Sequence, residues 1–201
     1  MKKAGIIIIA VLVVLLGISF GLNLKQNAER SNARRYLLNQ LNSCLMDTSL
    51  ELDKIISFTE YDLTNDNTNA DTLMRISGNL IRADSLLTQY KYTSSSETLI
   101  YGAIPNFDDI ACTMGFGVGT FNDVRYDYIL HDNVISENEV LYLTALRDDI
   151  AQLSDGMQSS ENPPNENKNL SIAQLNNILR EFFDVWSYHN EDSPYYLLRS
   201  E

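Results

Sequence analysis

Ala4 to Leu24 is a run of 21 uncharged residues, from Ala-Gly-Ile-Ile-Ile-Ile to Phe-Gly-Leu-Asn-Leu, set between Lys2-Lys3 and Lys25. As a helix it reaches roughly 30 Å, the thickness of a bilayer's hydrocarbon core. Residues 1–24 are therefore read as an N-terminal transmembrane signal anchor. A cleaved signal peptide would have a shorter apolar core and a small-x-small site. The nearest such site is Ser19-Phe20-Gly21, which ends on Gly. Helix-permissive sequence also continues from Lys25 through Arg35 with no Pro or Gly to stop it, and no Cys follows the run to take a lipid.

Charge places the rest of the chain. Residues 25–201 hold 13 Lys and Arg against 27 Asp and Glu, a net charge of −14. Nucleic acid is excluded as a partner, because phosphate binding needs clustered basic residues. Lys2, Lys3 and the terminal amine favour a cytoplasmic N-terminus. Lys25, Arg30, Arg34 and Arg35 pull the other way, and the export-like leader decides the reading: the C-terminal part lies outside a bacterial-type membrane. Those four basic residues fall in a juxtamembrane helical stalk, 25–35, and are candidates for contact with lipid head groups.

Beyond the stalk the apolar positions recur at helical spacing. Leu37, Leu41, Leu45, Thr48, Leu52, Ile55 and Thr59 form one stripe, so a first helix is expected from the membrane to about Tyr61, a rod lifting the domain off the bilayer. Leu63-Thr-Asn-Asp-Asn-Thr-Asn ends it. A second helix is expected from Asp71, with Leu73, Ile76, Leu80, Ala83, Leu87 and Tyr90 inward and Gly78 permitting a close helix contact. Thr98 to Tyr101 and Phe107 to Met114 read as helical, with Pro105 either kinking one helix or opening a new one. Phe121 to Leu130 resumes the helix, a strand through Gly115–Phe121 being the less favoured alternative. Ser136-Glu-Asn-Glu139 is a capping box with Ile135 and Val140 as its staple, opening a helix to Gly156. Ser171-Ile-Ala-Gln174 repeats it, with Leu170 and Leu175, and opens a last helix with Ile172, Leu175, Leu179, Phe182 and Trp186 on one face.

The expected fold is all-α: the transmembrane helix, then an antiparallel up-and-down bundle of four to five helices. The acidic bundle domain covers 36–192, with a mobile polar linker at 156–169 and a C-terminal tail, 193–201, whose Tyr-Tyr-Leu-Leu docks on the bundle.

No catalytic or cofactor motif holds up. Gly115-Phe-Gly-Val-Gly119 lacks the Lys of a phosphate loop and the spacing of a dinucleotide fingerprint, so it reads as a joint between helices. Aligning His131 to Glu139 with a calcium loop would put Tyr128 and Leu130 at ligand positions they cannot fill. His131 and His189 are the only histidines, too few at any zinc spacing. Cys44 and Cys112 lie on apolar stripes and read as buried thiols. No enzyme, cofactor or metal is expected.

Eleven tyrosines and Trp186 exceed what the helix stripes use. Tyr126, Tyr128, Trp186, Tyr188, Tyr195 and Tyr196 are the candidate interaction surface, gathered near one end of the bundle. The function expected is a binding or assembly module acting on a membrane or envelope protein. The alternative is a sensory ectodomain that holds a small ligand between helices and signals through a partner.

Overall fold

The computed structural model describes residues 2–61, 66–93, 107–115, 119–121, 124–129, 135–159, 170–187 and 190–199. Among them five α-helices carry the architecture: α1 (Lys2–Tyr61), α2 (Asp66–Thr93), α3 (Phe107–Thr113), α4 (Glu137–Met157) and α5 (Ile172–Val185). A hairpin of β1 (Gly119–Phe121) and β2 (Val124–Tyr126) and a C-terminal 3-10 helix, Pro194–Leu198, complete the set. The chain divides into two compact units, Met1–Tyr36 and Leu37–Glu201. The Thr98 to Pro105 segment lies outside the described residues, as do His131, His189, Tyr188 and linker positions 160–169. Gly156 and Met157, assigned above to that linker, belong to α4.

In the first unit the apolar run is helical, and from Val11 to Leu24 its side chains are open. Val11, Leu16, Phe20 and Leu24 are each more than half exposed. Among the described residues α1 is the one helix long and apolar enough to cross a membrane.

The second unit is built on α1 from Leu37 onward. Leu37, Leu41, Leu45, Thr48, Leu52 and Ile55 are all buried, as the spacing predicts, and Cys44 and Ile56 widen the stripe. The width is needed because α1 packs against two helices. On one side Arg75 Nε donates to Glu51 Oε2 at 3.1 Å, and Arg82 Nη2 donates to Gln40 Oε1 at 2.9 Å. On the other, Arg147 Nη1 reaches Asp53 Oδ1 at 3.4 Å, and Ser154 Oγ donates to Asn42 Oδ1 at 2.6 Å. In both sets the partner number falls as the α1 number rises, so α2 and α4 each run antiparallel to α1. The same test makes α4 and α5 antiparallel: Asp149 meets Trp186, and Gly156 meets Ile178. The segment between α2 and α4, carrying α3 and the hairpin, thus returns the chain to the end where α2 began.

Both capping boxes form. Ser136 Oγ accepts from Glu139 N at 3.3 Å, and Ser171 Oγ accepts from Gln174 N at 3.2 Å. In each, the third-position side chain accepts the cap's own N–H in return. Such caps satisfy amides that a helix start leaves without partners.

Three expectations are corrected. The second helix begins at Asp66 rather than Asp71, and Asn69, read as part of a breaker, is buried in its second turn. The helix expected over Phe121 to Leu130 is replaced in part by the hairpin, which pairs Thr120 with Arg125 and Phe121 with Val124. Tertiary hydrogen bonds hold that segment: Ile129 N donates to Thr113 O at 2.9 Å and Asp127 N to Leu198 O at 3.0 Å.

Gly78 is the third. It is exposed, and a Cβ there would meet nothing within 4 Å, so no neighbouring helix needs it. Glycine inside a helix costs about 1 kcal/mol relative to alanine. Gly78→Ala is expected to stabilise the domain by about that amount, seen as a higher urea midpoint with an unchanged slope. The close contact lies instead at Gly156, where a Cβ would come within 3.3 Å of Ile178 Cγ2.

Candidate functional site

The aromatic end is where structure and expectation meet most directly. Trp186, the C-terminal cap of α5, packs edge-on against Tyr142 of α4 with centroids 5.2 Å apart, and against Tyr195 of the 3-10 helix at 5.7 Å. Phe182 stacks on the Trp186 ring at 6.2 Å, and Phe107 of α3 joins Phe182 and Phe183. Trp186, Tyr142 and Tyr195 are fully buried. Alongside them Tyr126 and Tyr196 meet edge to face at 6.4 Å, and the Arg199 guanidinium sits 5.0 Å over the Tyr196 ring.

The structure therefore gathers Tyr126, Tyr196, Trp186 and Tyr195, but buries three of them. Trp186, Tyr195 and Tyr126 are core, not a recognition surface. The reason is the docked tail: Pro194, Tyr195 and Leu198 are buried, and the tail covers the rings that would otherwise face water. Burial, reinforced by Tyr196 and opposed by Arg199, pushes the Tyr126 hydroxyl above its usual range. Tyr128, about a third exposed, remains at the surface.

Sequence periodicity missed two members of this cluster. Tyr142 of α4, not singled out from the sequence, is fully buried, and its hydroxyl lies 2.9 Å from Thr113 Oγ1 in the core. Asp149, seven residues on, accepts the Trp186 indole N–H at 2.8 Å. Partial burial pushes Asp149 above the usual carboxylate range, against the pull of that hydrogen bond. The seven-residue spacing places both on one α4 face, and it is the signal that would have found them.

In the first unit, Lys25 pairs with Glu29 at 3.8 Å, both side chains well exposed. Arg30 and Arg35 are exposed and Arg34 is half-buried. Cys44 is buried and Cys112 half-buried, both as free thiols, and burial raises the pKa of each. Among the described residues no cluster of three or more His, Cys, Asp or Glu is placed to hold a metal.

Among the described residues of the second unit, grooves open between neighbouring helices. One lies between α1 and α2, with Leu50 and Glu51 facing Arg75 and Gly78. Another, about 280 Å³, lies between α4 and α5. Leu153, Phe182 and Val185 line it, Gly156 leaves it open, and Asp149 and Glu181 carry its charge.

Asp84 of α2 faces the start of α3. Burial, with the Asp108 and Asp109 carboxylates, pushes its pKa up to about 6, while the backbone N–H groups of Asp108 and Phe107 oppose the rise. A folded pKa above the unfolded one gives stability that is complete below about 4 and is lost as pH rises through about 6. Asp84→Asn keeps an acceptor for those amides and removes the charge. It is expected to stabilise the domain by about 1 kcal/mol at pH 8, discounted for partial exposure. The gap from the wild type should close by pH 4, as followed by urea unfolding at each pH.

Comparison with known proteins found no match at a significant level among family models, curated proteins or solved structures.

Proposed function

We propose that this chain is a membrane-anchored binding and assembly module: a helical domain displayed outside the membrane that acts by protein–protein contact, without catalysis. The N-terminal helix supports anchoring, and Lys2 and Lys3 support the outward orientation. The observation that carries the proposal is a set of large apolar side chains left open on α1 and α2. Met46 and Leu50 are one turn apart on α1 and 49% and 56% exposed; on α2, Met74 and Ile81 are two turns apart at 64% and 48%. Scattered single residues of this kind are ordinary, whereas contiguous exposed apolar patches mark contact surfaces.

A photo-crosslinking residue at position 50 or 81 of the full chain, in intact cells, tests this. One membrane or envelope protein should be captured there and not from position 180, on the exposed side of α5. Leu50→Ser or Ile81→Ser, with thermal stability unchanged, should cut capture made from the other position by at least about fivefold. Capture no greater than at position 180 overturns the proposal. Deleting the tail is the wrong probe, because that removes core.

The α4–α5 groove favours a second reading, a sensory ectodomain that holds a small ligand between helices and signals through a partner.

A further inference from the structure

The groove between α4 and α5 has a specific origin. Glycine at position 156 lets Ile178 come within 3.3 Å of where a Cβ would stand, and the space beside that contact is left open at about 280 Å³. That is near the lower end of the range for small-molecule sites. Its surface is divided by chemistry. Leu153 and Phe182 are buried apolar walls and Val185 is 39% exposed. Asp149, Gln152 and Glu181 are the polar members, and among the described residues none that lines the groove is basic.

The Asp149 carboxylate gives one oxygen to the Trp186 indole, and Glu181 is on the exposed side of α5. An anion entering would meet two carboxylates, and a neutral apolar molecule would gain the walls alone. A cation with an apolar body gains both. The −14 charge of residues 25–201 further concentrates cations at the surface.

We propose that this groove binds a small organic cation, an alkylammonium, with its chain against Leu153 and Phe182 and its charge at Asp149 and Glu181. The proposal rests on the second reading above and adds the class of ligand. Trp186 is the single tryptophan and is bonded to Asp149, so its fluorescence reports on occupancy.

The test is a titration of the full chain in dodecylmaltoside micelles with n-hexylammonium, n-butylammonium, n-hexanol and hexanoate, followed by Trp186 fluorescence and by thermal shift. Free indole in the same micelles corrects for partitioning. Hexylammonium should saturate, and hexanol and hexanoate should each bind at least about tenfold more weakly. Butylammonium, two methylenes shorter, should bind about tenfold more weakly than hexylammonium. Glu181→Gln, at an exposed position that leaves the fold intact, should weaken hexylammonium at least about threefold and leave hexanol unchanged. Asp149→Asn, which keeps an acceptor for the indole, should do the same.

Equal or tighter binding of hexanol or hexanoate overturns the cation assignment and leaves the second reading standing. Hexylammonium affinity unchanged in both variants also overturns it. No saturable response to any of the four, by either readout, overturns the proposal and the second reading together.

Discussion

Trp186→Ala is expected to cost the second unit about 4–5 kcal/mol, enough to consume much of the stability of an ordinary domain. The indole is fully buried and touches α4 through Tyr142, its own helix through Phe182 and the tail through Tyr195. Its removal leaves a cavity that three separate elements would have to collapse into, and such collapse is seldom complete. It also strips Asp149 of the N–H that accompanies its partial burial. Trp186→Phe separates the two effects. It retains most of the ring volume and loses the donor, for about 1–2 kcal/mol at neutral pH. That smaller cost should shrink in acid, once protonation removes the Asp149 charge. Urea unfolding followed by far-ultraviolet circular dichroism measures both variants, since the fluorescence probe is gone.

Ending the chain at Asp192 is expected to be at least as damaging, by about 5 kcal/mol. The truncation removes fully buried Tyr195 and buried Leu198. It also removes the Leu198 carbonyl that accepts from Asp127 N, and the Tyr126–Arg199 bridge. Tyr142 and Trp186 would then face water, so the truncated protein should bind a hydrophobic dye and lose its sharp thermal transition. Tyr195→Ala is the milder form, expected to cost about 3–4 kcal/mol with cooperativity kept. A truncated chain that melts at the wild-type temperature would show the tail to be an ornament on a finished core.

What sequence pattern could reveal here follows from how local each determinant is. The stripes of α1 and α2, and the capping pairs Ser136 with Glu139 and Ser171 with Gln174, rest on residues within one or two turns, and they were readable. Val124 and Tyr128, four apart, mimic a helix. The choice for a hairpin is made by Thr113 and Leu198, whose carbonyls take amides from Ile129 and Asp127, and spacing within the segment carries no trace of them. Asn69 reads as a helix breaker by its own propensity and is overruled by burial in α2.

The aromatic end shows the same limit. Richness in tyrosine and tryptophan located it, but an aromatic residue serves core and interface alike. Only the position of the docked tail decides that Tyr195 is inside and Tyr128 outside. Glycine was the least readable. Gly78 and Gly156 both lie within helices, and the difference between open space and Ile178 at 3.3 Å belongs to the packing of other elements.

The arrangement of α4 beside α1 also sets an order of events during synthesis. The Asp53–Arg147 and Asn42–Ser154 contacts join residues 94 and 112 positions apart. At about 5–20 residues per second a ribosome takes roughly 5–20 s to cover that distance. Through that interval the α1 stripe has α2 on one flank and nothing on the other, so the newborn domain carries a half-open apolar seam. Contacts of such long range are late and slow to form, and closure of the aromatic end waits for Tyr195 and Leu198. A chaperone that shields apolar segments would find its longest opportunity on the α4-facing side of α1, a surface that vanishes in the finished molecule.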